Sequence, residues 1–331
     1  MKMKRLLLVC YIVLVLSFVL PLFLREQQNS APVPSPSASI NIAATQDSDN
    51  TRREVWDSVR VKNGEVCVEM DMTDYLVGVV AAEMPASFDE NALRAQAVAA
   101  RTYTLYCAAH GRHGDAQVCT SSGCCQAWLD DDALHERLGE GYEMYMENLH
   151  RAVTDTAGEY LSYGGAPAFA AFHSSSAGAT EASGNVWNAL PYLISVSSPE
   201  TAETVPGYIS TVEVSTLDFR DSVLSVRPEA DMTGAPSTWV GAAKCTESGR
   251  VESIVIGGEV LTGGELRQIF LLRSTAFALE YSGEVFRFTV TGFGHGVGMS
   301  QYGANVMAQR GADYKEILAH YYPGTELVCA G

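Results

Sequence analysis

A glutamate that closes an apolar run and is followed at once by Met-Pro is the first feature of this chain that could do chemistry. Residues 75–85 read Tyr-Leu-Val-Gly-Val-Val-Ala-Ala-Glu-Met-Pro, and the glutamate is Glu83. If the run is a helix, Glu83 sits at its C-terminal end, where the helix dipole is negative. Apolar neighbours add a desolvation cost for the ionised form. Both effects raise the carboxyl pKa toward what a general acid needs near neutrality. On position alone, a solvated surface glutamate is the plain alternative. A second group of residues could hold a metal. His113, Cys119 and Cys125 stand in a loop rich in Gly, Cys and His, with five residues between each and the next. Zinc takes imidazole nitrogen and thiolate sulfur in tetrahedral sites. A disulfide suits the same loop, and Cys124 could stand in for Cys125.

Other polar residues could bind a substrate or simply pack. Gln96 and Arg101 lie on the stretch that follows Glu83, where they could bind a substrate, orient the carboxyl or fill space between helices. His173 and Ser174 lie on an expected strand. The serine run 174–176 contains no G-x-S-x-G elbow, which weakens a serine-nucleophile reading. His295, Gln301 and Tyr302 flank a glycine-rich turn, Gly-Phe-Gly-His-Gly-Val-Gly at 292–298. Such a turn can cradle a phosphate, yet its spacing is not G-x-G-x-x-G in a βαβ unit. The glycines read instead as allowing backbone to approach a ligand, or the helix bearing Glu83, closely. No H-E-x-x-H is present, which argues against a zinc peptidase.

The elements that must position these residues follow from periodicity and breakers. Short alternating runs over 55–72 read as strands. A helix follows Thr73, through Tyr75, Leu76, Val79 and Val80 to Glu83, and Pro85 stops it. Ser87-Phe88-Asp89-Glu90 has the S-x-x-E form of a capping box, so a second, Ala-rich helix is expected from 88 to about 107. A loop over 110–126 precedes a mainly helical stretch at 130–157. From 158 onward strands and glycine turns dominate, with strands at 169–176, 251–260 and 285–290. Short helices are expected over 264–272 and 299–309, with another before Pro323. Helices and strands are segregated, so the class is α+β: a helical segment carrying Glu83 packed with a β-rich remainder.

Of 331 residues, 47% are hydrophobic and 18% charged, and the net charge is −17. That excludes overall disorder and argues against nucleic acid, which needs clustered Lys and Arg. Lys2, Lys4 and Arg5 precede an uncharged, mostly apolar run over 6–24. Its length, near the roughly 20 residues of a membrane-spanning helix, favours an uncleaved anchor over a signal peptide. The basic residues place 1–5 in the cytoplasm and the body outside. Residues 25–52, rich in Gln, Ser, Pro, Ala and Asn, read as a tether, and 53–331 as the folded part. Beyond Cys10, seven cysteines remain, an odd number that cannot all pair internally.

The runs Tyr75-Leu76-Val77-Gly78-Val79-Val80-Ala81-Ala82-Glu83-Met84-Pro85-Ala86-Ser87-Phe88 and Ala92-Leu93-Arg94-Ala95-Gln96-Ala97-Val98-Ala99-Ala100-Arg101-Thr102-Tyr103 resemble the signature of the stage II sporulation protein D family. Phe172-His173-Ser174-Ser175-Ser176-Ala177-Gly178, Asn185-Val186-Trp187 and His295-Gly296-Val297-Gly298-Met299-Ser300-Gln301-Tyr302-Gly303-Ala304 match further blocks in the same order. The resemblance spans 54–327. It implies a lytic transglycosylase that cleaves the bond between N-acetylmuramic acid and N-acetylglucosamine in peptidoglycan, leaving 1,6-anhydro ends. Glu83 would first be the acid and then the base, in place of the two carboxylates of ordinary glycosidases. It further implies zinc at His113, Cys119 and Cys125, glycans stripped of stem peptides as substrate, and stage II sporulation proteins P and M as partners at the engulfing septal membrane. Two rivals stand beside it: a non-catalytic wall-binding scaffold that activates an amidase, and a zinc hydrolase.

Overall fold

The structure is a computed structural model and describes residues 57–329, all in one unit of the chain. Strands β1 (Ser58–Asn63) and β2 (Val66–Asp71) form an antiparallel hairpin with Val61 opposite Val68. Asp71 then caps α1 (Met72–Glu83), its carboxylate accepting from the Thr73 and Asp74 amides, which are donors that no helical carbonyl can reach. Tyr75, Leu76, Val79 and Val80 are buried on α1. Met84 is extended, as the residue before Pro85 must be, so the helix ends on Glu83.

Helix α2 (Glu90–His110) runs through the middle of the helical half and packs on helices and strands on several sides. Ala92, Ala95, Ala97, Ala99 and Ala100 are buried along it, and their small side chains let neighbouring backbones come close. Its cap is Asp89, which accepts from the Asn91 amide, rather than the expected Ser87. Glu90 is drawn instead into ion pairs with Arg94 and Arg151. After α2, β3 (Val118–Cys119) pairs parallel to β1, with Val61 opposite Val118. The 130–157 stretch is helical as expected, as α3 (Asp131–Leu138) and α4 (Tyr142–Asp155). Strands β4 (Glu159–Tyr163) and β5 (Ala166–Pro167) follow. The strand expected over 169–176 shrinks to β6 (Phe172–His173).

From β7 (Ile209–Ser215) the chain builds a second hydrophobic core. Its elements are α5 (Thr216–Val226), β8 (Val240–Cys245), β9 (Val251–Ile256), β10 (Glu259–Thr262), α6 (Gly263–Ile269), β11 (Phe277–Tyr281) and β12 (Val285–Thr291). The single strand expected over 251–260 is a hairpin, β9–β10, turning at Gly257-Gly258 with positive φ at both. Two antiparallel sheets, ordered β11-β12-β7 and β10-β9-β8, enclose Phe219, Phe286 and Phe288. The chain then returns to the helical half. There β13 (Met299–Ser300) pairs parallel with β6, and α7 (Gln301–Gln309), α8 (Tyr314–Tyr321) and β14 (Glu326–Cys329) complete the fold. Helix α7 therefore starts at Gln301, because Met299 and Ser300 are taken by the strand pairing. The class is α+β. Among the described residues no helix is long and apolar enough to cross a membrane, and the anchor expected over 6–24 lies outside them.

Candidate active site

Glu83 is held from two sides. The Ala127 amide donates to Oε1 at 2.9 Å, and the Gln301 side-chain amide donates to Oε2 at 3.4 Å. The first contact depends on a close crossing. The segment carrying Ala127 passes over α1 at Gly78, where a Cβ would lie 2.6 Å from the Leu129 carbonyl oxygen and 2.7 Å from Trp128 Cδ1. Only glycine admits that approach. Gln126, fully buried, ties the same segment down by donating to Thr104 Oγ1 at 3.1 Å and Tyr75 Oη at 3.3 Å. Burial raises the Glu83 pKa, while the Ala127 and Gln301 bonds and the Arg137 charge oppose it. The net direction is upward. Among the described residues, no second carboxylate contributes to that shift.

Gln301 is placed by the N-terminus of α7. Ser300 caps that helix, accepting from the Gly303 amide and donating to the buried carboxylate of Glu200 at 2.5 Å. Glu200 also accepts from Ser198 Oγ at 2.5 Å and the Ser176 amide at 2.6 Å. This network joins the serine run at 174–176 to the helix start that aims Gln301 at Glu83. Tyr302 packs edge-on against Phe88 with centroids 5.0 Å apart, and its amide donates to the Ser174 carbonyl at 3.0 Å. Glu83, Gln301, Tyr302 and Ser174 are thus linked in one place.

The other sequence candidates stand apart from that group in chemistry. Arg101 is 3% exposed, and its guanidinium donates to the carbonyls of Val153, Thr156 and Glu159. It closes the C-terminal end of α4 and has little surface to offer a sugar. Gln96 is fully buried, and its side-chain amide makes no hydrogen bond. The His173 ring nitrogens pair with the Val297 carbonyl at 3.2 Å and Ser176 Oγ at 2.7 Å. His295 accepts from the Val297 amide at 3.1 Å and bonds the Phe172 backbone as well. Burial and the charges of Arg267 and Arg250 push its pKa down to about 3, so its imidazole is neutral. Both histidines hold backbone in place. Sequence reading missed Gln126, Glu200 and the Ala127 amide. Their types carry no chemical signature, and only tertiary contact reveals them.

The loop after α2 brings His113, Cys119, Cys124 and Cys125 together, with all four donor atoms within 4.8 Å of one another. His113 Nε2 lies 3.1 Å from Cys125 Sγ and 3.7 Å from Cys124 Sγ. These thiols are free, with no disulfide among them. Pairing of β3 with β1 fixes Cys119 opposite Lys62, and Cys125 stands two residues before the amide that holds Glu83. The cluster could hold a metal, and it contains Cys124 alongside Cys125 rather than one in place of the other.

A carboxyl with a raised pKa beside a Cys/His cluster on an α+β scaffold defines the kind of protein to compare. The family model described as stage II sporulation protein matches residues 61–163. The stage II sporulation protein D of Bacillus amyloliquefaciens is 32% identical over 326 residues, which is 96% of this chain and 93% of that protein. Its namesake in Bacillus subtilis (strain 168) is 35% identical over 260 residues, 77% of this chain and 74% of that protein. The amidase enhancer of the same strain is 30% identical over 303 residues, 76% of this chain but 40% of that protein. This chain belongs to the stage II sporulation protein D family.

Proposed function

We propose that the protein is a lytic transglycosylase that cleaves peptidoglycan glycan strands between N-acetylmuramic acid and N-acetylglucosamine. The observation that carries this is the setting of Glu83. One carboxyl is pushed toward its acid form by burial, while two donors stand ready for its anion. Protonated Glu83 gives its proton to the glycosidic oxygen as the C1–O bond breaks. The carboxylate left behind, stabilised by the Ala127 amide and Gln301, takes the proton of the muramic acid 6-hydroxyl as that oxygen closes on C1. The product is a 1,6-anhydro end, and no water is consumed. A hydrolytic glycosidase needs a second carboxylate about 5–9.5 Å away. Among the described residues no carboxylate is a cause of the upward shift at Glu83, which supports the single-carboxyl route.

His113, Cys119, Cys124 and Cys125 suit zinc. Three thiols and one imidazole are the donor set of a closed structural site, with Cys124 as the fourth donor. Metal bound there would supply positive charge that fixes the four side chains. The segment from Cys124 to Ala127 would then hold its amide against Glu83. The wider setting follows the family: septal wall remodelling and engulfment during sporulation, an anchor over 6–24 with the body outside the membrane, stripped glycans as substrate, and stage II sporulation proteins P and M as partners.

The similarity to an amidase enhancer favours a second reading, a wall-bound activator without its own chemistry. One experiment separates the two. The full chain in detergent is incubated with purified glycan strands, and products are read by mass spectrometry. New 1,6-anhydro ends that vanish in Glu83→Gln support the transglycosylase; their absence with the native protein leaves the activator.

A further inference from the structure

Arg250 is 1% exposed, and none of its three guanidinium nitrogens makes a hydrogen bond. That sets it apart from Arg101, also buried, whose guanidinium donates to three carbonyls. Burial pushes the Arg250 pKa down to about 10, which still leaves the group charged at neutrality. Burying a charge without hydrogen bonds is costly, and an apolar side chain of similar volume often packs as well or better. Packing alone therefore does not account for an arginine here.

The turn between β8 and β9 sets this residue in place. The Thr246 amide donates to the Arg250 carbonyl at 2.8 Å, and the hydroxyls of Thr246 and Ser248 donate to the Glu181 carboxylate at 2.6 and 2.7 Å. The Asn185 side chain and the Ala182 amide complete the bonds to Glu181, both at 2.8 Å. The Glu181 amide donates in turn to the Gly296 carbonyl at 2.8 Å. Gly296 has a φ of 85°, and a Cβ there would lie within 2.6 Å of Cζ, Nη2 and Nε of Arg250 alike. The glycine turn thus rests on the flat face of the guanidinium. The Arg250 charge is drawn to Glu181 and Glu200 and repelled by Arg267.

These contacts converge on the start of α7. Glu181 holds Gly296, in the turn that leads into the helix, and Glu200 accepts from Ser300, which caps it. Gln301 follows the cap and donates to Glu83 at 3.4 Å, a long bond that a small displacement would break. The Arg250 charge is not among the causes that shift Glu83, which are burial, the Ala127 amide, Gln301 and the Arg137 charge. What Arg250 does to Glu83 therefore passes through Gln301.

We propose that Arg250 is a positioning residue for Glu83: lodged between the glycine turn, Glu181 and Glu200, it fixes the start of α7 so that Gln301 meets the carboxyl. This rests on the reading of Glu83 as first the acid and then the base of the reaction proposed above. The β-rich half thereby reaches the chemistry through one side chain at the start of β9. Without the arginine, the turn and the helix cap settle independently. Gln301 then no longer stabilises the Glu83 anion that takes the proton of the 6-hydroxyl.

The test follows the Glu83 titration in the full-length chain in detergent, with glutamate carboxyl carbons labelled and read by NMR. Glu83→Gln identifies the signal. Gln301→Ala should raise its titration midpoint, because the Gln301 bond opposes the upward shift. Arg250→Met should raise it too, and the two changes together should raise it no further than Gln301→Ala alone. Phe286→Ala, a destabilised control from the second core, should leave the midpoint in place. In cleavage assays Arg250→Met should lower kcat on the order of tenfold, the scale of one hydrogen bond to a charged group, with little change in KM. If Arg250→Met does not fold, Arg250→Lys takes its place, since lysine keeps the charge and loses the flat face. An unmoved midpoint, or a shift that adds in full to that of Gln301→Ala, overturns the positioning role. A native chain that releases no 1,6-anhydro ends overturns the reaction reading instead, and the titration comparison still decides whether Arg250 positions Gln301.

Discussion

The helical half and the β-rich half of this protein are built on opposite principles. Around Glu83 the packing is done by small residues. Gly78 admits the Trp128 segment, and alanines line α2 where its neighbours press in. Around Phe219 the packing is done by large rings, with Phe286 stacked at 3.8 Å and Phe270 at 5.2 Å. Small residues bring backbone donors to within hydrogen-bonding distance of a carboxyl. Large rings bury area and tolerate sliding. The first half is organised for a distance and the second for stability. Function should therefore fail in the first half while the fold survives, and the fold should fail in the second before the chemistry does.

The largest separation is expected from Glu83→Gln set against Phe286→Ala. The glutamine keeps the size and both partners of the glutamate, because an amide oxygen can accept from Ala127 and Gln301 can rotate its own amide to accept in turn. Cleavage should fall by on the order of 10² or more with the thermal midpoint retained. Phe286→Ala should cost about 3–5 kcal/mol of stability and leave cleavage near normal well below the midpoint. Comparable loss of cleavage in both variants at low temperature would erase the distinction.

The cluster of His113, Cys119, Cys124 and Cys125 could hold a metal, and a metal there would add folding energy of another kind to the helical half. Chelation, or Cys125→Ser, should release about one zinc per chain and lower the thermal midpoint, since metal binding free energy is folding free energy. Cleavage should fall with it, through loss of the Ala127 amide. Glu83→Gln should keep its zinc. Protein purified without added metal that contains no zinc, with Cys119 and Cys125 oxidised in a thiol assay without reductant, would remove the metal from the comparison.

Gly78→Ala tests the distance directly and should have a smaller effect. The added methyl must displace Trp128 or the Leu129 carbonyl, at a cost of about 1–3 kcal/mol. It should reduce kcat more than it raises KM, because the Ala127 amide serves the carboxylate form and not substrate binding. A normal kcat would mean that the Ala127 contact at 2.9 Å is incidental.

How much of this was legible in the sequence follows the same divide. The helix ending at Glu83 could be read because its breaker, Pro85, and its apolar run are local. Asp89 displaced Ser87 as the α2 cap because the Asp89 amide is itself bonded by Asn305, from α7 far along the chain. His173 and His295 have the residue type of ligands, yet their ring nitrogens go to backbone and a serine. The second core escaped because its rings are scattered from Phe219 to Phe288 and meet only in three dimensions. Strand β7 alternates merely between exposed and half-buried residues, so it presents no clear apolar face to a reader of the sequence.

The smallest effect expected is also the sharpest, because it links the chemistry of Glu83 to its cost. The folded pKa of this carboxyl is raised above its ordinary value of 4.5, chiefly by burial. The folded state therefore holds the proton more tightly than the unfolded chain does. The stability this confers is fully present below the unfolded pKa, about 4.3, and is lost as pH rises through the folded value. At neutral pH the ionised, partly desolvated carboxylate is a liability that Ala127 and Gln301 only partly offset. Glu83→Gln should then be slightly more stable than the native protein at pH 7, with the gap closing as pH falls toward 4. If the proposed reaction is right, kcat/KM of the native protein, which reports groups of the unliganded form, should fall on the alkaline side over the same interval in which the gap opens. Thermal midpoints of both proteins from pH 4 to 8, set beside the native pH–rate profile, make the comparison. A gap that stays constant with pH would mean that Glu83 does not titrate in that range. A gap whose midpoint differs from the kinetic limb would mean that the acid controlling the rate is another residue.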